Sequence, residues 1–100
     1  MAPRIPIDRE RLSAFCRKHH VRRLSLFGSV LREDFGPESD VDVLVEFEEG
    51  HTPGFAFFGM QEELSEILGR RAELSTPAFL SRYFRGDVLR EAQAQYVQGQ

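Results

Sequence analysis

LSLFGSVLREDFGPESDVDVLVE, residues 24–46, is the stretch from which the fold can be read. From Asp40 to Phe47 polar and apolar residues alternate, with Val41, Val43, Val45 and Phe47 on one face and Asp40, Asp42, Leu44 and Glu46 on the other. A period of two predicts a strand with one buried face. Asp40 and Asp42 then point the same way, about 7 Å apart along the strand. Two carboxylates held side by side repel each other and call for a counter-charge, of which a hard divalent cation is the simplest.

Upstream, Gly28-Ser29 closes the apolar run Val21–Phe27 and opens a short helix over Val30–Asp34, with Ser29 read as its N-cap. A helix N-terminus offers unpaired N–H groups and partial positive charge, and glycine lets a phosphate approach the backbone closely. Gly36-Pro37-Glu38-Ser39 is turn chemistry leading into the second strand. Antiparallel pairing of the two strands brings the phosphate cradle and the carboxylate pair to one edge of the sheet, an arrangement suited to a metal-bound triphosphate.

Gly28-Ser29-Val30-Leu31-Arg32 followed by Ser39-Asp40-Val41-Asp42 resembles the Gly-Ser…Asp-x-Asp signature of the DNA polymerase beta-like nucleotidyltransferase superfamily. The fuller run FGSVLREDFGPESDVDVLVEF is similar to the minimal nucleotidyltransferases, small prokaryotic proteins paired with a HEPN-domain partner. The resemblance runs from Leu24 to Ala92. A lone Asp-x-Asp is weak, but with Gly-Ser upstream and an alternating strand behind it the combination is specific.

One hundred residues make a single domain, 1–100, with one core. No apolar run approaches the ~20 residues of a membrane span, and Met1–Ile7 lacks a signal-peptide pattern. The single cysteine, Cys16, excludes an internal disulfide and fits a reducing cytoplasm. A formal net charge of −3 argues against broad electrostatic capture of nucleic acid.

Asp8–His20 reads as an amphipathic helix capped by Asp8, with Leu12, Phe15, Cys16 and His19 on one face. Cys16 has a nucleophile reading, but without a neighbouring base a core thiol is preferred. His19 and His20 are placed near the terminal carbonyls, with metal ligation as the alternative. His51 is read as an exposed loop histidine over a ligand. Phe55–Leu68 is a helix with Phe57, Met60, Leu64, Ile67 and Leu68 inward and Gly69 as its stop. The cluster Phe55, Phe57, Phe58 is read as core, with base stacking as the minority option. Arg71–Ser75 is a third strand with Ala72 and Leu74 inward. Thr76-Pro77 opens a last helix running towards Tyr96, with a possible break at Gly86-Asp87.

Glu73, on the other face of the third strand, shares the open face with Asp40 and Asp42. Three converging carboxylates suit a two-metal phosphoryl displacement, with ions ~3.5–4 Å apart. The bland alternative is a solvated strand residue. In the family the third position is commonly aspartate; the glutamate here keeps the charge and lengthens the reach. Arg32 matches the family's basic position and either touches a phosphate or pairs on the surface with Glu33, Asp34 or Glu38. Arg82, Arg85 and Arg90 meet phosphates or an acidic partner, or form a solvated face. There is no P-loop motif and no calcium-binding loop.

The expected fold is α/β: a three-stranded mixed sheet in order 1-2-3, helices mainly on one face, of the polymerase beta-like nucleotidyltransferase type. The resemblance implies two Mg2+ ions held by Asp40, Asp42 and Glu73, with ATP as donor bound by Gly28, Ser29, Arg32 and Ser39. It further implies a type VII toxin–antitoxin role, in which AMP is moved to a tyrosine of a HEPN toxin. The alternative is an antitoxin of weak or lost catalysis that neutralises its partner by contact. Homo- and hetero-oligomers are both compatible with the sequence.

Overall fold

The computed structural model describes residues 5–32, 35–36 and 38–99. Its first helix, α1 (Arg9–Lys18), begins where the Asp8 carboxylate accepts from the Arg11 N–H at 3.1 Å. Glu10 in its first turn and Arg17 and Lys18 in its last complement the helix dipole. Leu12, Phe15 and Cys16 recur at helical spacing and are buried. His20 takes a left-handed conformation that turns the chain into the sheet. The imidazoles of His19 and His20 do not sit on the terminal carbonyls as expected. His19 Nε2 lies 2.9 Å from Glu63 Oε1 and His20 Nδ1 lies 3.3 Å from Glu48 Oε2, carboxylates being the stronger acceptors.

Strands β1 (Val21–Phe27) and β2 (Val41–Phe47) pair antiparallel, and β3 (Ala72–Ser75) lies parallel to β2. The alternating pattern is realised: Val41, Val43 and Val45 are buried against Leu24 and Leu26 of β1 and against the apolar side chains of the helices. The second helix, α2 (Ala56–Leu68), contributes Met60, Leu64 and Leu68 to the same core, and Gly69 stops it in the left-handed conformation. Burying each such leucine contributes about 1.5–3 kcal/mol relative to leaving it exposed. The helix also covers the outer edge of β3. The Ala72 N–H donates to Ser65 Oγ at 2.9 Å and the Leu74 N–H to Gln61 Oε1 at 3.0 Å, so donors that face away from β2 are satisfied.

The C-terminal region departs from expectation. The last helix, α3 (Arg82–Glu91), is capped by Ser81 rather than by Thr76, and it runs through Gly86-Asp87 unbroken. It is followed by a fourth strand, β4 (Gln93–Val97), antiparallel to β1. The sheet is therefore four-stranded, in order β3-β2-β1-β4, and not three-stranded. Gln93, Ala94 and Gln95 favour helix locally, but the free edge of β1 offers a row of unpaired backbone groups, and satisfying them overrides propensity. Helix α3 buries no residue. Phe55, Phe58, Phe79, Tyr83, Phe84 and Leu89 are exposed, so of the expected aromatic core cluster only Phe57 packs inward. The face bearing Asp42 is not open along its length, because the cross-strand partners Ser25 and Leu44 are buried on it. Among the described residues no helix is long and apolar enough to cross a membrane.

Candidate active site

Pairing register brings the candidate carboxylates together at one end of the sheet. Phe27, the last residue of β1, faces Asp42 across the antiparallel ladder, and Asp42 is the parallel partner of Glu73. The pleat turns Asp42 away from buried Val41 and Val43, and Glu73 away from buried Ala72 and Leu74. The two carboxylates are thus neighbours on one face, with Asp40 just before the strand begins. The electrostatics follow from that crowding. Partial burial and then the Asp40 charge push the Asp42 carboxyl up, Arg32 pulls it down, and Glu91 adds to the rise. Glu73 is pushed up by desolvation, by a hydrogen bond with Asp40 that favours its protonated form, and by the charges of Asp40 and Asp42, against Arg71.

Gly28 lies directly against this group. Its φ of 77° is one that side-chain-bearing residues rarely adopt, and a Cβ there would collide with Asp42 Oδ2 and come within 3.3 Å of Asp42 Cγ. The chain needs glycine here both for conformation and for room. The expected helix is shorter than its pattern: a single 3₁₀ turn, Gly28–Leu31, with Phe27 at the cap position and no side-chain cap from Ser29. Val30 and Leu31 are both drawn into the core, and Arg32 returns to extended backbone. The rest of the expected span, Glu33 and Asp34, lies outside the described residues, as does Pro37 of the expected turn.

Of the four residues expected at the nucleotide, Gly28 and Arg32 are both engaged by one carboxylate. The Gly28 N–H donates to Glu91 Oε1 at 3.3 Å, and Arg32 Nη2 donates to the same oxygen at 2.8 Å. Among the described residues the ionic partner of Arg32 is thus Glu91, not Glu38. Sequence reasoning missed Glu91, because it stands 63 residues from Gly28 and only the pairing of β4 brings it near. Ser39 is committed to the turn: its Oγ accepts from the Gly36 N–H at 3.0 Å.

Arg70 is a second residue that sequence reasoning missed. Its Nη2 donates to the Gly36 carbonyl at 2.6 Å and to the Ser39 carbonyl at 2.8 Å, pinning the turn one residue before Asp40. The same guanidinium stacks 4.4 Å from the Phe35 ring centroid. Its only local signal is its place just after the α2 stop.

Other candidates stay apart from this cluster. Cys16 is fully buried, and burial pushes its thiol up to about 12, which fits an inert core residue. His51 is exposed and stacks on His20 at 4.0 Å. Arg85 turns back to the Leu80 carbonyl, and Arg90 pairs with Asp87. An apolar groove of about 620 Å³, lined by Phe47, Phe55, Phe57, Phe58, Leu74 and Phe79 among others, includes none of the three carboxylates. The candidate carboxylates thus lie at the sheet end, apart from the groove.

Comparison with known proteins identifies the family. The family described as "Nucleotidyltransferase domain" matches residues 9–95. The protein adenylyltransferase MntA of Thermococcus cleftensis is 39% identical over 72 residues, covering 71% of each chain. Across the curated relatives it matches, the chain spans between 57% and 80% of their length. A solved structure assigned as a minimal nucleotidyltransferase superposes with a TM-score of 0.70 at 36% identity, over 85% of this chain and 86% of that one. Two solved toxin–antitoxin complexes share the fold at 16% identity: one with AMP-PNP (TM-score 0.73; 93% of this chain, 76% of that one) and one of a tri-AMPylated Shewanella oneidensis HEPN toxin with its MNT antitoxin (0.64; 90% and 70%). The chain belongs to the nucleotidyltransferase domain family, an enzyme family in which its relatives include a protein adenylyltransferase.

Proposed function

We propose that this chain moves AMP from ATP to a tyrosine hydroxyl of a HEPN-domain toxin, acting as the antitoxin of the pair. The observation that carries the reading is the Asp42–Glu73 cross-strand pair with the Gly28 backbone pressed against Asp42. In the transfer, the acceptor oxygen forms a bond to the α-phosphorus, the bond from that phosphorus to the pyrophosphate oxygen breaks, and the hydroxyl proton passes to solvent. Gly28 N–H and Arg32 donate to the polyphosphate and orient it. Asp40, Asp42 and Glu73 would hold Mg2+, which when bound neutralises phosphate charge and eases loss of the hydroxyl proton. The donor set fits a hard cation, since three crowded carboxylates, two with raised pKa, lack a counter-charge of equal size. Among the described residues no three acidic, histidine or cysteine side chains are placed so that they alone could hold a metal ion. Magnesium sites that use substrate phosphate oxygens need none.

A protein acceptor is supported by the surface. Phe55, Phe58, Phe79, Tyr83, Phe84 and Leu89 leave much apolar area in water for a chain this small. The relatives and fold neighbours point to the same kind of partner by analogy. The glutamate at position 73 favours a second reading, neutralisation by contact with little transfer. Incubation with [α-32P]ATP, Mg2+ and a HEPN partner separates the two. Label on a partner tyrosine, absent with Asp42→Asn, supports transfer; a stable complex that never acquires label leaves the contact reading standing instead.

A further inference from the structure

Glu91 is the last residue of α3, two positions before Gln93, and Gln93 is the cross-strand partner of Leu26. The β1–β4 ladder ends at that pair, so the end of α3 and the Gly28 turn leave the same end of the sheet side by side. The pairing of β4 with β1 thus brings Glu91 within reach of Gly28 and Arg32. One oxygen, Oε1, takes both the Gly28 N–H and the Arg32 guanidinium. A carboxylate oxygen and a non-bridging phosphate oxygen accept from the same donors, and both are favoured by charge assistance. A fourth carboxylate beside Asp40, Asp42 and Glu73 is electrostatically unfavourable unless such donors hold it.

The geometry points to Glu91 as an internal competitor for the phosphate donors: it holds Gly28 N–H and Arg32 before nucleotide arrives, and the polyphosphate must displace it to bind. Glu91 thereby sets nucleotide affinity. The inference rests on the nucleotidyl-transfer reading above. It adds that the phosphate donors are held by the protein's own acid, at the last residue of a helix that buries no residue.

The test is calorimetric binding of ATP, with and without Mg2+, and of inorganic triphosphate. Glu91→Gln keeps the size and leaves a weaker, neutral acceptor; Glu91→Ala removes it. Both are expected to lower the triphosphate Kd by about threefold to tenfold, the range for losing one half-exposed ion pair and one charge-assisted amide contact. Asp87→Asn removes the same charge from the same helix at a residue whose ionic partner among the described residues is Arg90, and is expected to leave the Kd unchanged. The inference is overturned by Glu91 variants that bind no tighter than wild type, or by equal tightening in Asp87→Asn. If wild type binds neither ATP nor triphosphate, the transfer reading and this inference fall together. If wild type binds and the gain is missing, only this inference falls.

Discussion

Gly28→Ala tests the site geometry most sharply, because Gly69 provides its own control. Both glycines have left-handed backbone, with φ of 77° and 68°. A Cβ at Gly69 meets nothing within 4 Å, whereas at Gly28 it runs into the Asp42 carboxylate. Left-handed conformation costs an alanine about 1–2 kcal/mol. In a domain this size each kcal/mol lowers Tm by about 4–8 °C. Both variants should therefore lose about 4–16 °C, with Gly28→Ala little worse, since its clash is with the end of a side chain that can rotate. Rotation displaces Asp42, however, and a carboxylate moved by about 1 Å costs roughly 100-fold in rate. Thermal unfolding by circular dichroism, with AMP transfer measured well below both midpoints, gives the comparison. Gly69→Ala should transfer at close to the wild-type rate and Gly28→Ala at about a hundredth of it. Equal activity in the two variants would refute the claim that Gly28 is there to make room for Asp42.

Two further expectations follow from the same crowding and from the turn beside it. The Asp42 and Glu73 carboxyls are raised above their ordinary values of 3.8 and 4.5, so what they contribute to stability is present below those values and is lost as pH rises through the folded pKa. Asp42→Asn removes its share, so in EDTA the variant's Tm should gain on wild type from about pH 4 upward, while AMP transfer disappears; a gain on acidification instead would contradict the assignment. Arg70→Ala frees two carbonyls from charge-assisted bonds and should cost about 1–3 kcal/mol by denaturant unfolding. It should also slow transfer while Arg70→Lys partly restores it, and an unaffected rate would show that the turn does not position Asp40.

Much of the site is legible because it is written in local periods. The alternation through β2 places Asp42 opposite the buried valines, Ala72 and Leu74 turn Glu73 outward, and Gly28 marks a point of close approach to the backbone. These choices depend on residues two to four apart, and the core enforces them whatever lies further along the chain. The strand Gln93–Val97 carries no such period. It is a strand because the edge of β1 needs a partner, and that pairing brings Glu91 near Gly28 and Arg32. Arg70 on the Ser39 turn and the exposed aromatics of the α3 region are decided in the same way. The sequence by itself determined which carboxylates are candidates for the chemistry. Only the tertiary structure decided which residues close the site, because backbone groups at a sheet edge accept any strand that reaches them, and which one does is a property of the whole chain.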